Sequence, residues 1–199
     1  MITCIVLSAG FSSRFGSPKA LAELDGQPLI VSLQNKLLTT NVDEIIVVLG
    51  HSADNIKPHL LNHKKLKVVY NKDYNFGQTS SFKAGLTAVS EKCTGILLLP
   101  VDFPFVAAAT VSAECAHFAK KKSTILIPTY QAKKGHPPVF HASLKKDFLA
   151  LDNDQGINTV SWQRSAEVNL LATDDPGVTA SFNTPEEWEK LKNLFSRRV

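Results

Sequence analysis

The sequence predicts an α/β protein of three layers, in which a doubly wound, mostly parallel sheet carries helices on both faces. Strand-like and helix-like stretches alternate along the whole chain. Two strand-like stretches, EIIVVL at 44–49 and GILLLP at 95–100, are continuously apolar, which is typical of parallel strands covered on both sides. Repeated strand–helix units of this kind place a parallel sheet between two layers of helices.

The predicted strands are short apolar runs bounded by polar or turn-forming residues. The first ends in the small residues Ser8, Ala9 and Gly10. In chain order, strands are predicted at 2–7, 44–49, 67–70, 95–100, 124–128 and 167–171, with a turn and a returning strand within 135–141. Ligands of such sheets bind at the carboxyl ends of the strands, so the segments that follow the strands are candidates for the site.

The predicted helices have apolar residues recurring on one face and recognisable end signals. The first follows the turn Asp25-Gly26 and has Pro28 at its start, where a helix tolerates proline. The last opens at Pro185, with Thr184 as its N-cap. Helices are predicted at 29–38, 54–61, 79–90, 107–121, 143–151, 157–163 and from Pro185 onward, the second weakened by Pro58. No linker or repeat interrupts this alternation, so we expect one domain over 1–199.

The composition is that of a soluble globular protein, with 44% hydrophobic and 20% charged residues. A formal net charge of +4 suits a small anionic substrate but, without a clustered basic face, predicts no nucleic-acid partner. Cys4, Cys93 and Cys115 lack metal-ligand or C-x-x-C spacing, which fits a reducing compartment. The chain contains no signal-peptide pattern and no apolar run of membrane-spanning length. We therefore expect a cytoplasmic protein with no membrane partner.

The first nineteen residues, MITCIVLSAGFSSRFGSPK, predict a triphosphate site. The strand leads into a loop whose glycines allow close approach to phosphate and whose N–H groups can form an anion nest. Arg14 offers a planar fork to phosphate, and Lys19 offers a point charge. The loop has neither the P-loop spacing nor the dinucleotide fingerprint, and a glycine-rich surface turn is the alternative. The candidate nucleotide-binding residues here are Leu7, Ser8, Ala9, Gly10, Ser12, Ser13, Arg14 and Lys19.

Asp102, in LLLPVDFP, is the candidate metal ligand. It directly follows the most hydrophobic strand, where a carboxylate can bind a hard cation that bridges phosphate oxygens. The alternative is an N-cap or turn aspartate before the next helix.

The stretch 71–86, NKDYNFGQTSSFKAGL, is the second candidate nucleotide-binding segment. It follows a strand and enters a helix, and its backbone N–H groups and neutral donors suit an anion or the polar edges of a base or ribose. The alternative is an ordinary helix start with Thr79 or Ser80 as N-cap. The candidate residues are Gly77, Gln78, Thr79, Ser80 and Ser81.

Together these segments resemble the MobA-like nucleotidyltransferase family. The first loop fits its signature LxxGxSxRxGxxKxL, and the ending GSPKAL is closest to the branch of MocA-type molybdenum-cofactor cytidylyltransferases. LLLPVDFP resembles the LxxDxP metal motif of the family, and NKDYNFGQTSSFKAGL resembles its N…GxxxSxxxGL nucleotide segment. The resemblance spans the chain as ordered segments and implies a Rossmann-like nucleotidyltransferase fold.

The resemblance adds further site residues. Asn71 matches the first residue of the N…GxxxSxxxGL pattern, so the resemblance adds it to the nucleotide-binding residues. GHPPVF is similar to the family's G-[HN]-P-x-x-F segment and implies His136 and Pro137 on the acceptor side. LDNDQGIN resembles a GDxGAR segment and implies Asp154 there as well. His136 could instead be structural, and Asp154 could be a helix cap.

The segment SFNTPEE departs from the family pattern D-x-D-T-P-E-D, because Ser181 and Asn183 replace both aspartates. An amide oxygen can still coordinate magnesium but brings no charge. Asn183 is therefore a second, weaker candidate metal ligand beside Asp102.

The implied reaction is nucleotidyl transfer with Mg²⁺ as cofactor and with Arg14, Lys19 and Asp102 as the catalytic residues. By resemblance, the donor is the nucleoside triphosphate CTP and the acceptor is molybdopterin, a phosphorylated pterin. A recipient molybdoenzyme is a further candidate partner. The alternatives are a GTP-dependent MobA-like guanylyltransferase, a sugar- or alditol-phosphate acceptor, and a non-catalytic nucleotide- or cofactor-binding chaperone of a molybdoenzyme. A dinucleotide-dependent oxidoreductase is disfavoured by the missing fingerprint glycines.

Overall fold

The computed structural model of the chain describes residues 1–196, so the last three residues of the predicted domain lie outside the described part. The strands are β1 Ile2–Ser8, β2 Glu23–Leu24, β3 Gln27–Pro28, β4 Glu44–Leu49, β5 Leu66–Tyr70, β6 Gly95–Pro100, β7 Ile125–Tyr130, β8 Lys133–Lys134, β9 Val139–His141 and β10 Val168–Ala172. β2 and β3 form a separate hairpin. The others form one sheet in the order β10-β7-β9-β6-β1-β4-β5, and β8 pairs with β7.

Most of this sheet is parallel. β1 runs parallel to β4 and β6, β4 to β5, and β7 to β10. β9 lies antiparallel between β6 and β7 and is the returning strand predicted within 135–141. The mostly parallel, doubly wound sheet predicted from the sequence is confirmed.

Helices cover both faces of the sheet. They are α1 Leu29–Leu38, α2 Ala53–Ile56, α3 Gln78–Thr87, α4 Ala108–Lys121, α5 Lys145–Ala150, α6 Asn158–Gln163 and α7 Pro185–Ser196. Cys4 and Val6 of β1 face one core and Ile5 and Leu7 face the other, because successive strand residues point to opposite faces. The first core includes buried residues of α1, α4 and α7, and the second includes those of α3, α5 and α6. None of the helices within residues 1–196 is long and apolar enough to cross a membrane.

Three helices are clearly shorter than predicted. In place of a helix over 143–151, α5 spans Lys145–Ala150 and follows a 3₁₀ turn at Ala142–Leu144. In place of a helix over 54–61, α2 ends at Ile56 and a 3₁₀ turn follows at Lys57–His59, because Pro58 lacks the N–H that would continue the helix. In place of a helix over 79–90, α3 ends at Thr87, and a tighter final turn uses the N–H of Ala88 to bond Gly85 O at 3.1 Å.

The carboxyl ends of β1, β4, β5 and β6 meet at one edge of the sheet, because these four strands are neighbours and parallel. Four connecting segments therefore lie side by side at this edge. They are the loop after β1, the turn at His51, the 3₁₀ turn at Tyr74–Phe76 and the turn at Asp102.

Candidate active site

The loop after β1 is a folded turn. Ser12 has a φ of +53° and Gly16 a φ of +80°. Ser12 O accepts the N–H groups of Phe15 and Gly16 at 2.9 and 3.1 Å, and Ser12 Oγ accepts Lys19 N–H at 3.3 Å. The buried ring of Phe15 packs edge-on against Phe182, with centroids 5.2 Å apart. The loop is thereby held against the core.

This loop forms one wall of a cleft of about 400 Å³ at the carboxyl edge of the sheet. The cleft brings together most of the predicted nucleotide and metal residues. Those that line it are Leu7, Ser8, Ala9, Gly10, Ser12, Ser13, Arg14, Lys19, Gly77, Gln78, Ser81, Asp102 and Asn183.

Lys19 lies at the centre of the polar end of the cleft. Its ammonium is 3.0 Å from Asp102 Oδ2, 3.1 Å from Asn183 Oδ1 and 2.6 Å from Phe182 O. It also lies 5.2 Å from the centre of the Phe182 ring. Arg14 Nη2 donates to the same Asn183 Oδ1 at 2.9 Å. Two cations and one carboxylate thus converge where the sequence predicts the triphosphate and its metal.

Asn183 is held by the start of α7. Its N–H donates to Glu187 Oε2 at 2.6 Å, and Glu187 N–H donates to Thr184 Oγ1 at 3.3 Å. This is the capping arrangement that the threonine predicted, with the glutamate reaching back to the residues before the helix. The helix start therefore orients Asn183 toward the two cations.

The chemistry of the donor set decides how a divalent cation would fit. Asp102 suits it, because Mg²⁺ takes one or two protein carboxylates together with substrate phosphates. Asn183 fits less well than predicted, because its two oxygen lone pairs already accept hydrogen bonds from Arg14 and Lys19. Within residues 1–196, no group of three or more His, Cys, Asp or Glu side chains could hold a metal ion.

The start of α3 forms the opposite wall. Gly77 has φ +91° and ψ −159°, a backbone conformation that L side chains rarely adopt, and Gly77, Gln78 and Ser81 line the cleft. The alternative, an N-cap role for Thr79 or Ser80, is wrong, because Gly77 is the N-cap and no described side chain caps it. Ser80 Oγ instead donates back to Gly77 O at 2.9 Å.

Three predicted nucleotide residues, Asn71, Thr79 and Ser80, are buried behind this wall and do not line the cleft. Asn71 Nδ2 donates to Ser80 Oγ at 3.0 Å and to Ser81 Oγ at 3.1 Å. Thr79 Oγ1 donates to Gln155 O at 2.5 Å. These side chains bond to other parts of the protein behind the wall.

The predicted acceptor residues lie outside the cleft lining. The His136 ring is partly buried against Phe103, with centroids 4.3 Å apart, and burial lowers its pKa although the nearby Asp102 charge opposes the shift. His136 Nδ1 has no hydrogen-bond partner among the described residues. Pro137 is buried. Asp154 is exposed and does not cap α6, whose N-cap residue is Ile157.

The sequence analysis missed an aromatic part of the cleft. Phe11 and Tyr74 line it, and His51 contacts both rings. Phe11 follows the glycine of the first loop, and Tyr74 precedes Gly77, so proximity to the predicted segments was the available signal.

The family follows from a sequence comparison. The sequence model for the "MobA-like NTP transferase domain" matches residues 4–168. The chain belongs to the MobA-like NTP transferase family. The family resemblance predicted from the ordered segments is thereby confirmed. Family membership identifies a transferase of the nucleotidyltransferase type.

Among named relatives, this MobA-like protein is 27% identical to nicotine blue oxidoreductase of Paenarthrobacter nicotinovorans over 96% of each chain. It is 28% identical to the molybdenum cofactor cytidylyltransferase of Escherichia coli over 68% of each chain. It is 24% identical to the bifunctional protein GlmU of Listeria monocytogenes, which it matches over 98% of its own length but only 41% of GlmU.

Solved structures share the fold of this MobA-like protein over nearly the whole chain. Rv0371c of Mycobacterium tuberculosis has a TM-score of 0.84 and 25% identity, covering 97% of this chain and 98% of that one. A nucleotidyl transferase from Methanothermobacter has a TM-score of 0.84 and 25% identity, covering 100% and 99%. Rv0371c has also been solved in complex with manganese.

Proposed function

We propose that this protein transfers a nucleoside monophosphate, CMP from CTP, to the phosphate of a molybdopterin-type acceptor and releases pyrophosphate. The observation that carries this proposal is the convergence of Arg14, Lys19, Asp102 and Asn183 at one end of the cleft. The cytidylyltransferase relative and the GSPKAL and GHPPVF segments support the donor and the acceptor.

The reaction requires alignment and charge neutralisation. The acceptor phosphate is already ionised at neutral pH and attacks the α-phosphorus of the triphosphate without a general base. Lys19 is held by three oxygens within 3.1 Å, so its ammonium is fixed where triphosphate charge would lie. Arg14, anchored on Asn183, offers a second cation to the departing pyrophosphate.

Asp102 would hold the divalent cation, with Asn183 as a second oxygen only if it released one of its two cationic partners. When bound, Mg²⁺ or a similar ion would offset the charge that develops on the phosphoryl oxygens. The charge of Asp102 acts on the His136 ring, which packs against Phe103. This proximity supports binding of the acceptor next to Asp102. Asp154 and Pro137 do not line the cleft, so they would contact only a part of the acceptor that extends beyond it.

Substitution of Lys19 or Asp102 tests the assignment. We expect Lys19→Ala and Asp102→Ala each to lower pyrophosphate release by roughly 100-fold or more, because Lys19 offsets phosphate charge and Asp102 would hold the cation that does the same. Lys64→Ala, a change at an exposed lysine, is the matched control and should leave release unchanged. Circular dichroism and thermal melting check the fold of each variant. Release at the wild-type rate by Asp102→Ala would rule out its role as metal ligand.

The donor is tested by a thermal-shift panel of CTP, GTP, ATP and UTP with and without Mg²⁺. A larger magnesium-dependent shift with CTP supports the cytidylyltransferase, and a larger shift with GTP supports the guanylyltransferase. Nucleotide binding without pyrophosphate release, when a molybdopterin acceptor is supplied, supports a chaperone that delivers the cofactor to a molybdoenzyme.

An oxidoreductase is a second candidate function, favoured by the match to nicotine blue oxidoreductase over 96% of each chain. The chain lacks the glycine fingerprint of dinucleotide-binding loops, and its cationic cleft end suits a triphosphate better. Absorbance assays of NADH and NADPH oxidation, with nicotine blue supplied as the electron acceptor and run beside the pyrophosphate assay on the same preparation, separate the two functions.

A further inference from the structure

Three aromatic side chains meet at the rim of the cleft and form what we call the aromatic wall, defined as Phe11, His51 and Tyr74. The Phe11 ring centre lies 5.0 Å from that of His51 and 5.4 Å from that of Tyr74. The His51 and Tyr74 rings are 5.9 Å apart. Each residue comes from a different segment, so the cluster is a product of the fold and not of one local turn.

The aromatic wall lies on the side of β1 away from the charged residues. Phe11, His51 and Tyr74 follow β1, β4 and β5, whereas Asp102 follows β6. In the sheet, β4 and β5 lie on one side of β1, and β6 lies on the other. The cleft thus has a charged end and an aromatic end, with β1 and its loop between them.

The two neighbours of Phe11 are each anchored, His51 at an exposed position and Tyr74 at a half-buried one. His51 N–H donates to Ala9 O at 3.0 Å, which ties the turn after β4 to the first loop. Tyr74 packs against the second core, and a Cβ at Gly50 would lie only 2.6 Å from Tyr74 Cβ. Tyr74 is therefore held by core packing and His51 by its backbone, and both rings contact Phe11.

Phe11 is exposed although two aromatic side chains contact it. It is 48% exposed and lines the cleft. An apolar ring held open to solvent on a rigid support offers a flat face to a planar ligand. Aromatic rings of this kind stack on any nucleobase, since every base has a π-face.

We propose that Phe11, supported by His51 and Tyr74, stacks on the base of the bound nucleoside triphosphate. This inference rests on the proposed function. The triphosphate lies at the charged end with Arg14 and Lys19, and the base reaches the aromatic end. Because stacking tolerates every base, Phe11 contributes affinity for all nucleotides and leaves the choice among them to groups at the start of α3, such as Gln78.

The test compares whole nucleotides with the bare phosphate chain. Binding of CTP, GTP and inorganic tripolyphosphate is measured by calorimetry for the wild type and for Phe11→Ala, Phe11→Leu and Phe11→Tyr. We expect Phe11→Ala and Phe11→Leu to weaken CTP and GTP binding about tenfold each and to leave tripolyphosphate binding unchanged. Phe11→Tyr keeps a ring and should bind like the wild type. Phe11→Leu keeps an apolar side chain and covers the case in which Phe11→Ala fails to fold.

Three results would overturn the inference. In the first, the leucine variant binds nucleotides as the wild type does. In the second, nucleotide and tripolyphosphate binding weaken together, which indicates a distorted loop. In the third, only the KM of the acceptor rises, which assigns the ring to the acceptor. A wild-type protein that binds tripolyphosphate but no nucleotide would instead contradict the proposed function itself.

Discussion

The carboxylic acid of Glu114 lies in the core, beside the thiols of Cys4 and Cys115. Its side chain is fully buried, and neither carboxylate oxygen has a hydrogen-bond partner among the described residues. Burial, and then the nearby charge of Asp175, raise the pKa of Glu114 well above its usual range. Burial therefore favours the protonated, neutral form of this acid in the folded protein. Helical periodicity puts position 114 on the inner face of α4. From the sequence alone, an acid at an inward position cannot be told from a wrongly assigned helix face.

Replacement of this acid by an apolar side chain should stabilise the protein. Glu114→Met keeps a similar volume and leaves no buried polar atoms, so we expect a higher free energy of unfolding by about 1–3 kcal/mol near pH 8. The direction of the pKa shift sets the sign of the pH dependence. Because the pKa of Glu114 is raised in the folded state, its contribution to the free energy of unfolding is fully present below the unfolded-state pKa. That contribution is lost as the pH rises toward the folded-state pKa. The gain from Glu114→Met should therefore grow as the pH rises above 4.5, the ordinary pKa of a glutamate.

Denaturant unfolding at several pH values measures this effect. Burial raises the pKa of Cys115 to about 12, and burial likewise raises that of Cys4. These thiols therefore stay protonated in the folded protein up to about pH 8 and do not add to the pH dependence of the folded state. Glu91→Met, at an exposed position, is the control. An advantage of Glu114→Met that does not vary with pH would contradict the assignment of the raised pKa.

The connection between β5 and α3 forms the wall that holds Gly77 and Gln78 in the cleft. Its order depends on Asn71, which donates to two serine hydroxyls of α3 and whose Oδ1 accepts Asp73 N–H at 3.0 Å. The sequence pattern marked Asn71 as a ligand contact. A side chain that fixes a loop and one that touches a ligand give the same pattern, and only burial separates them.

Asn71→Ala should act through the loop. We expect it to lower the free energy of unfolding by about 2 kcal/mol, because it removes three hydrogen bonds made by the buried Asn71 side chain. Nucleotide binding should weaken with it, since Gly77 and Gln78 lose their support. Asn169→Ala, on the exposed part of β10, is the control and should change neither quantity. Weaker nucleotide binding with wild-type stability would instead indicate direct contact by Asn71. Thermal melting and calorimetry supply the two measurements.

The two ends of the chain close the cleft together. Lys19 in the first loop bonds Phe182 and Asn183, which are 163 and 164 positions away. The family model ends at residue 168, so this closing segment lies beyond the matched part. The replacement of the usual aspartate by asparagine gives an acceptor that orients two cations without neutralising either of them.

Asn183→Asp tests this role. A carboxylate there would compete with phosphate for Arg14 and Lys19, so we expect about tenfold weaker binding of tripolyphosphate when divalent metal is removed with a chelator. Asn193→Asp, on the exposed side of α7, makes the same change in net charge and should have little effect. Equal or tighter binding by Asn183→Asp would show that Asn183 does not organise the cations.

The sequence by itself determined the alternation of strands and helices, the loop with Arg14 and Lys19, and the aspartate after β6. These features depend on local patterns, namely apolar runs, turn residues and the order of segments. Only the tertiary structure decided which side chains share the cleft. The bonds of Lys19 to Asp102 and Asn183 join residues 83 and 164 positions apart, and the aromatic wall joins three segments. The reason is physical: a local pattern specifies what a residue can do, whereas parallel packing of β6, β1, β4 and β5 specifies what it can reach.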